Sequence, residues 1–282
     1  MATISAATAH LVETAEIQFI KAQIQAVQAR FPSQKFTAES IGGGVAAVTK
    51  PSFGRKLNHV AGFGMNGPVS EEDLEAIELF YRWIGVFPEI NLCPFAHPNA
   101  REALDRMGWT VCAEMNVYVL SLQEYKQTVE CEPQRAEGIQ VAHASTEEYP
   151  LFIETSVAGF GYNSTPDQLD LFHTLASAAT LRADTRLYLA RINGQIAGAA
   201  GMALITTPLG QVAELYIDST IPEYRGKGVQ AALLRARLDE AKKKGIDLAT
   251  VTTWPTGTSA RNVERAGFRL GYRKDVFTTK QE

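Results

Sequence analysis

Late in the chain, Val212-Ala213-Glu214-Leu215-Tyr216-Ile217 reads as a strand and Gln230 to Lys244 as a helix, joined through Tyr224-Arg225-Gly226-Lys227-Gly228-Val229-Gln230. No other stretch restricts the possible folds as much. A strand that passes through a glycine turn into a helix belongs to a layered α/β domain. Gly226 and Gly228 tolerate left-handed backbone and let main-chain N–H groups come close to a neighbour. The helix start adds unsatisfied N–H groups and the positive end of a dipole, and Arg225 and Lys227 add charge. By local composition the stretch is either a phosphate cradle or a basic strand-to-helix turn, and both readings stay open.

The remainder alternates strands and helices. Thr8 to Ala29 carries apolar residues at helical spacing, Ile41 to Lys50 and Asn58 to Phe63 read as strands, and Ser70 opens a helix with the acidic first turn Glu71-Glu72-Asp73. A strand at Ile90 to Pro94, a helix at Pro98 to Met107 and a strand at Trp109 to Leu122 complete a first half. The polar, proline-bearing run Glu130 to Gly138 reads as a linker, dividing the chain into 1–130, a linker at 131–138, and 139–282. Beyond it come a strand at Ile139, helices at Thr146 to Val157 and Asp167 to Leu181, and a hairpin turning at Asn193-Gly194. A buried strand at Ala249 to Thr253, a helix at Ser259 to Arg265 and a closing strand at Phe268 to Thr278 end the chain. The pattern is a mixed-sheet α/β fold. The halves echo each other: Asn99 to Trp109 has the helix-Gly-aromatic shape of Ser259 to Phe268, and Val60-Ala61-Gly62-Phe63 parallels Val212-Ala213-Glu214-Leu215.

Composition excludes several classes. A length of 282 residues with 45% hydrophobic and 21% charged residues describes an ordinary globular protein, and a net charge of −4 argues against a nucleic-acid partner. No run is long enough to span a bilayer and no secretory leader opens the chain, so the expected location is cytoplasmic. Cys93, Cys112 and Cys131 lack metal-ligand spacing; no metal is expected, and they read as buried small hydrophobes. Gly62-Phe63-Gly64-Met65-Asn66-Gly67 matches a dinucleotide-binding pattern, but a lone match before three carboxylates is a poor fingerprint.

Ile221 to Leu234, with Arg225 and Gly228 in place and Gln230 where a small residue is usual, resembles the acetyl-CoA loop of the GNAT N-acetyltransferase superfamily. Ser259 to Phe268 resembles that family's last helix and its terminal Gly-Phe. The resemblance implies two GNAT-like acyl-CoA N-acyltransferase domains in tandem, the first a degenerate copy. Its carboxylates at Glu71, Glu72 and Asp73 would repel a pyrophosphate.

In the second half the resemblance implies that acetyl-CoA is the donor. Its pyrophosphate would lie on the N–H groups from Lys227 through Gly228 and Val229 to Gln230, with Arg225, Gly226 and Lys227 around it. The backbone of Tyr216 and Ile217 would meet the pantetheine arm and polarise the acetyl carbonyl, and Ser259 and Asn262 would face the same arm. Glu214 is the expected base, acting through water on an amine of a small molecule or peptide. The tyrosine that usually protonates the leaving thiolate falls at Val263, leaving Tyr272, Tyr188, water or unassisted departure. That gap keeps a second function in view, an acyl-CoA-binding sensor or scaffold with little turnover. The acceptor is not readable, and a monomer and a homodimer are both compatible.

Overall fold

The computed structural model describes residues 4–125 and 138–279. The expected linker 131–138, apart from Gly138, and Cys131 lie outside the described residues.

Eleven strands form one sheet in the order β1-β2-β3-β4-β11-β5-β10-β9-β8-β7-β6. Those of the first half are β1 (Thr37–Ile41), β2 (Gly44–Val48), β3 (His59–Ala61), β4 (Glu89–Leu92) and β5 (Thr110–Ser121). Those of the second are β6 (Ile139–His143), β7 (Thr185–Ile192), β8 (Gln195–Thr207), β9 (Gly210–Thr220), β10 (Leu248–Thr253) and β11 (Arg269–Thr278). Helices α1 (Ala6–Arg30), α5 (Tyr149–Phe160) and α6 (Pro166–Thr180) cover one face. Helices α3 (Glu71–Arg82), α4 (Pro98–Arg106), α7 (Val229–Lys243) and α8 (Thr258–Arg265) cover the other. A single turn, α2 (Gly54–Leu57), leads into β3.

The strand order reveals an exchange. β3 and β4 are parallel, β9 and β10 are parallel, and every other neighbouring pair is antiparallel. The closing strand of each half lies against the parallel pair of the other: β11 beside β4, and β5 beside β10. β5 and β11 pair with each other at the centre. The two halves therefore share one continuous sheet related by a pseudo-twofold at the β5–β11 ladder.

Local chemistry accounts for most of the elements. Ser5 accepts from the Thr8 N–H at 3.1 Å and starts α1, whose Val12, Ile17, Ile20, Ile24 and Val27 are buried. Asn193 and Gly194 both take positive φ, 49° and 79°, as the tight hairpin between β7 and β8 requires. Leu233, Leu234 and Leu238 of α7 are fully buried against Ala213 and Leu215, each contributing about 2 kcal/mol by the removal of its apolar surface from water. The first half departs from expectation at one place. Ile41 to Lys50 is not a single strand, because Gly42 and Gly43 at φ 56° and 76° fold it back on Thr37–Ile41 as a hairpin.

Cys112 is exposed, its thiol donating to the Val276 carbonyl at 3.3 Å, whereas Cys93 is buried as expected. The internal echo is shifted by one residue. Val60 packs toward α3 just as Ala213 packs toward α7, while Val212 faces α1. Because successive strand residues point to opposite faces, the counterpart of Glu214 is Ala61 rather than Gly62.

Candidate functional site: a splayed strand pair above an uncapped helix

β9 and β10 are paired from Val212–Leu248 to Glu214–Thr250, and the ladder ends there. Beyond it the two strands are no longer paired, leaving the second half of β9 open on that edge. That half is bulged. Gly201 faces Tyr216 and Ala199 faces Ser219, so Ile217 and Asp218 stand opposite the single residue Ala200. Ile217 has φ 53°, a left-handed conformation rare for a β-branched residue and typical of backbone held in place by its surroundings.

The turn from β9 to α7 follows directly on this unpaired stretch. Gly226 and Gly228 adopt φ 76° and 89°, and Gly228 is the N-cap of α7 with no side chain capping the helix. The helix start can thus offer its first N–H groups and dipole to an anion. Val229 is 1% exposed and contributes only its backbone. Lys227 is exposed, its ammonium 4.9 Å from the centre of the Tyr224 ring. Arg225 holds the turn in place, donating from Nη2 to the Gly159 carbonyl at 2.9 Å and from Nε to the Thr220 carbonyl at 3.4 Å.

Gln230 and Asn262 meet across α7 and α8, the Asn262 amide donating to Gln230 Oε1 at 2.6 Å. Gln230, where the resembled pattern has a small residue, thus ties α8 to α7. Ser259 is exposed in the first turn of α8.

On β9, Glu214 and Tyr216 point toward α1, away from α7. Tyr216 packs edge-on to Phe19 at 4.9 Å, and its hydroxyl lies 2.8 Å from Thr185 Oγ1. Glu214 is half-buried. Burial, followed by the negative charge of Glu16 on α1, pushes its carboxyl up to about 8, against the opposing pull of Lys274 and Arg182. Glu16 belongs to a buried ionic group under α1. Lys274 contacts both Glu13, at 2.7 Å, and Glu16, and the Tyr272 hydroxyl donates to Glu13 at 2.5 Å.

The first-half counterpart is closed. Ser70 and Asp73 cap α3 reciprocally at 3.2 Å and 2.8 Å, and Glu71, Glu72 and Asp73 fill its first turn. Within the Gly62–Gly67 pattern, the Gly64 N–H donates to Gly42 and the Gly64 carbonyl accepts from His97, both at 2.8 Å, joining the β1–β2 hairpin to α4.

Similarity to known proteins fits this geometry. The family described as acetyltransferase (GNAT) matches residues 144–268, the span that includes β9, the glycine turn, α7 and α8. This segment is a GNAT domain. No curated protein is significantly similar in sequence. Solved structures share the fold over almost the whole chain. A GCN5-related N-acetyltransferase from Kribbella flavida is 18% identical, with a TM-score of 0.62 over 93% of this chain and 96% of that one. A tandem GNAT protein from the clavulanic acid biosynthesis pathway is 14% identical, with a TM-score of 0.60 over 85% and 78%. Another GCN5-related N-acetyltransferase, from Sphaerobacter thermophilus, is 13% identical, with a TM-score of 0.54 over 99% and 94%. The fold is therefore a tandem GNAT arrangement, with the family match confined to the second half.

Several residues around this site were not legible in the sequence. Arg237, Arg182 and, from the first half, Glu16 converge on β9, where Asp218 pairs with Arg237. Only Arg237 carried a signal, a cation on the otherwise apolar inward face of its helix. Trp254 packs under Arg55 of the first half, whose guanidinium carbon lies 4.4 Å from the centre of its ring. Val263 is 1% exposed within the core and, as a valine, offers no hydroxyl there. Both expected substitutes are engaged by carboxylates: Tyr272 donates to Glu13, and Tyr188 donates to Glu240 at 2.6 Å. Among the described residues, no three His, Cys, Asp or Glu side chains are grouped to hold a metal, and no helix is long and apolar enough to cross a membrane.

Proposed function

We propose that this chain is an N-acetyltransferase that takes its acyl group from acetyl-CoA and delivers it to an amine of a small molecule or peptide. The observation that carries this reading is the bulged, splayed β9–β10 pair opening onto the uncapped start of α7. In this reading the N–H groups of Gly228, Val229 and Gln230 hold the pyrophosphate, and Lys227 supplies nearby charge. Arg225 acts mainly by fixing the turn. Ser259 and Asn262 line the cofactor arm from α8. The backbone at Tyr216 and Ile217 meets the thioester and stabilises charge on its carbonyl oxygen.

Glu214 removes the acceptor's proton through water. A carboxyl near 8 is well matched to that task, because a base is most effective when its pKa lies near the working pH. The first half walls the acceptor side through α1 and binds no cofactor, its own helix start being self-capped.

Calorimetric titration with acetyl-CoA, followed by thiol release across an amine panel, tests the reading. Saturable binding with amine-dependent thiol release is expected. Binding with release no faster than hydrolysis would favour the second reading, an acyl-CoA sensor with little turnover, which the absence of a hydroxyl at Val263 supports. Failure of acetyl-CoA to bind would overturn both.

A further inference from the structure

Arg237 lies two turns into α7, fully buried, and belongs to none of the motifs of the sequence. Its guanidinium grips the β9 bulge from both sides. Nη1 donates to the Gly201 carbonyl on β8 at 3.0 Å and to Asp218 Oδ2 at 3.1 Å, Nη2 donates to Asp218 Oδ1, and Nε donates to the Leu233 carbonyl of its own helix at 3.0 Å. Asp218 directly follows the strained Ile217 and lies inside the two-against-one bulge. A buried ion pair with this many hydrogen bonds is a poor way to gain stability, because desolvation offsets most of the attraction. It is an effective way to fix geometry, because a planar fork satisfies a carboxylate and a carbonyl in one arrangement only.

We propose that Arg237 is a positioning residue: through Asp218 and the Gly201 carbonyl it locks the β9 bulge in the shape that presents the backbone at Ile217 to the thioester. The helix that begins at the pyrophosphate turn also carries the pin that shapes the acyl site. One rigid element thus sets the spacing between the two ends of the donor. The inference rests on the acetyl-CoA reading above, and its test separates the two.

The test needs no acceptor. Acetyl-CoA labelled with carbon-13 at the acetyl carbonyl is bound to wild type and to Arg237→Lys, which keeps the charge but loses the fork. The carbonyl resonance is followed by NMR, and the affinity for CoA without an acetyl group by calorimetry. Wild type should shift the bound carbonyl downfield. Arg237→Lys should lose most of that shift, while its CoA affinity changes less than about threefold, under 1 kcal/mol, because the amides at the start of α7 are untouched. A purely structural role would weaken CoA binding and carbonyl polarisation together. If Arg237→Lys keeps the full carbonyl shift, or loses it only in step with CoA affinity, the proposal is wrong. If wild type binds neither CoA nor acetyl-CoA, it is the functional reading that fails. Should Arg237→Lys not fold, Asp218→Asn tests the same point. It removes one charge from the pin without changing size, and an unaltered carbonyl shift in that variant overturns the assignment.

Discussion

Replacing Glu214 with glutamine gives an outcome that can be worked out in advance. In the folded chain, burial and then the Glu16 carboxylate raise Glu214 from an ordinary 4.5 to about 8. Between those values the unfolded chain has released the proton and the folded chain still holds it. The folded state therefore binds more protons, so this group makes stability fall as pH rises from about 4.5, and the loss is complete near pH 8. At 1.36 kcal/mol per pH unit that window caps the loss at about 5 kcal/mol, and partial access to water reduces the expectation to roughly 2 kcal/mol. Glutamine cannot ionise, so Glu214→Gln should escape the loss. Urea unfolding of both proteins at pH 5, 7 and 9 measures it, since other titrating groups cancel in the difference. The stability difference should move in favour of the variant by roughly 2 kcal/mol between pH 5 and pH 9. A difference that stays constant across that range refutes the electrostatic description of this site. In thiol-release assays, wild-type rates should climb about tenfold per pH unit until pH 8, and the variant should be slower by about 10²-fold or more.

Three other perturbations test separate parts of the structure. Arg225→Glu loses the anchors on the Gly159 and Thr220 carbonyls and places a negative charge beside the start of α7; calorimetry should detect no CoA binding, and unchanged affinity would disprove the assignment of the turn. Lys274→Met strands the Glu13 and Glu16 carboxylates under α1 and should cost about 3–5 kcal/mol in urea unfolding; a loss below 1 kcal/mol would show that water reaches them. Residues 138–282 expressed alone would lack the strand that separates β10 from β11, so circular dichroism should report an unfolded or aggregated chain. Co-expression with residues 1–125 should restore a soluble complex, and independent folding of either half would contradict the strand exchange.

Local chemistry made most of the elements readable in advance. The Asn193-Gly194 hairpin, the Ser70 helix start and the strand-glycine-helix unit around Gly226 and Gly228 all depend on neighbours within a few residues, where turn geometry and capping act. The hairpin at Gly42-Gly43 was missed because glycine runs fit a weak strand and a tight turn equally well. The one-residue shift of the internal echo arose because composition does not reveal which side of a sheet a residue faces; only the packing of Val60 and Val212 on opposite faces reveals it.

The sequence by itself determined the alternation of α and β elements, the glycine turn with its uncapped helix, and the acidic, self-capped counterpart in the first half. Each of these is a property of a short segment. Tertiary structure alone decided that β5 and β11 change places, that Arg237 and Asp218 meet at the bulge beside Ile217, and that burial, with Glu16 reaching across from the first half, raises the carboxyl of Glu214. Those contacts join residues 19 to about 200 positions apart. Loop closure makes such pairings a matter of the whole fold, and desolvation gives the buried charges their strength only once the chain has closed around them.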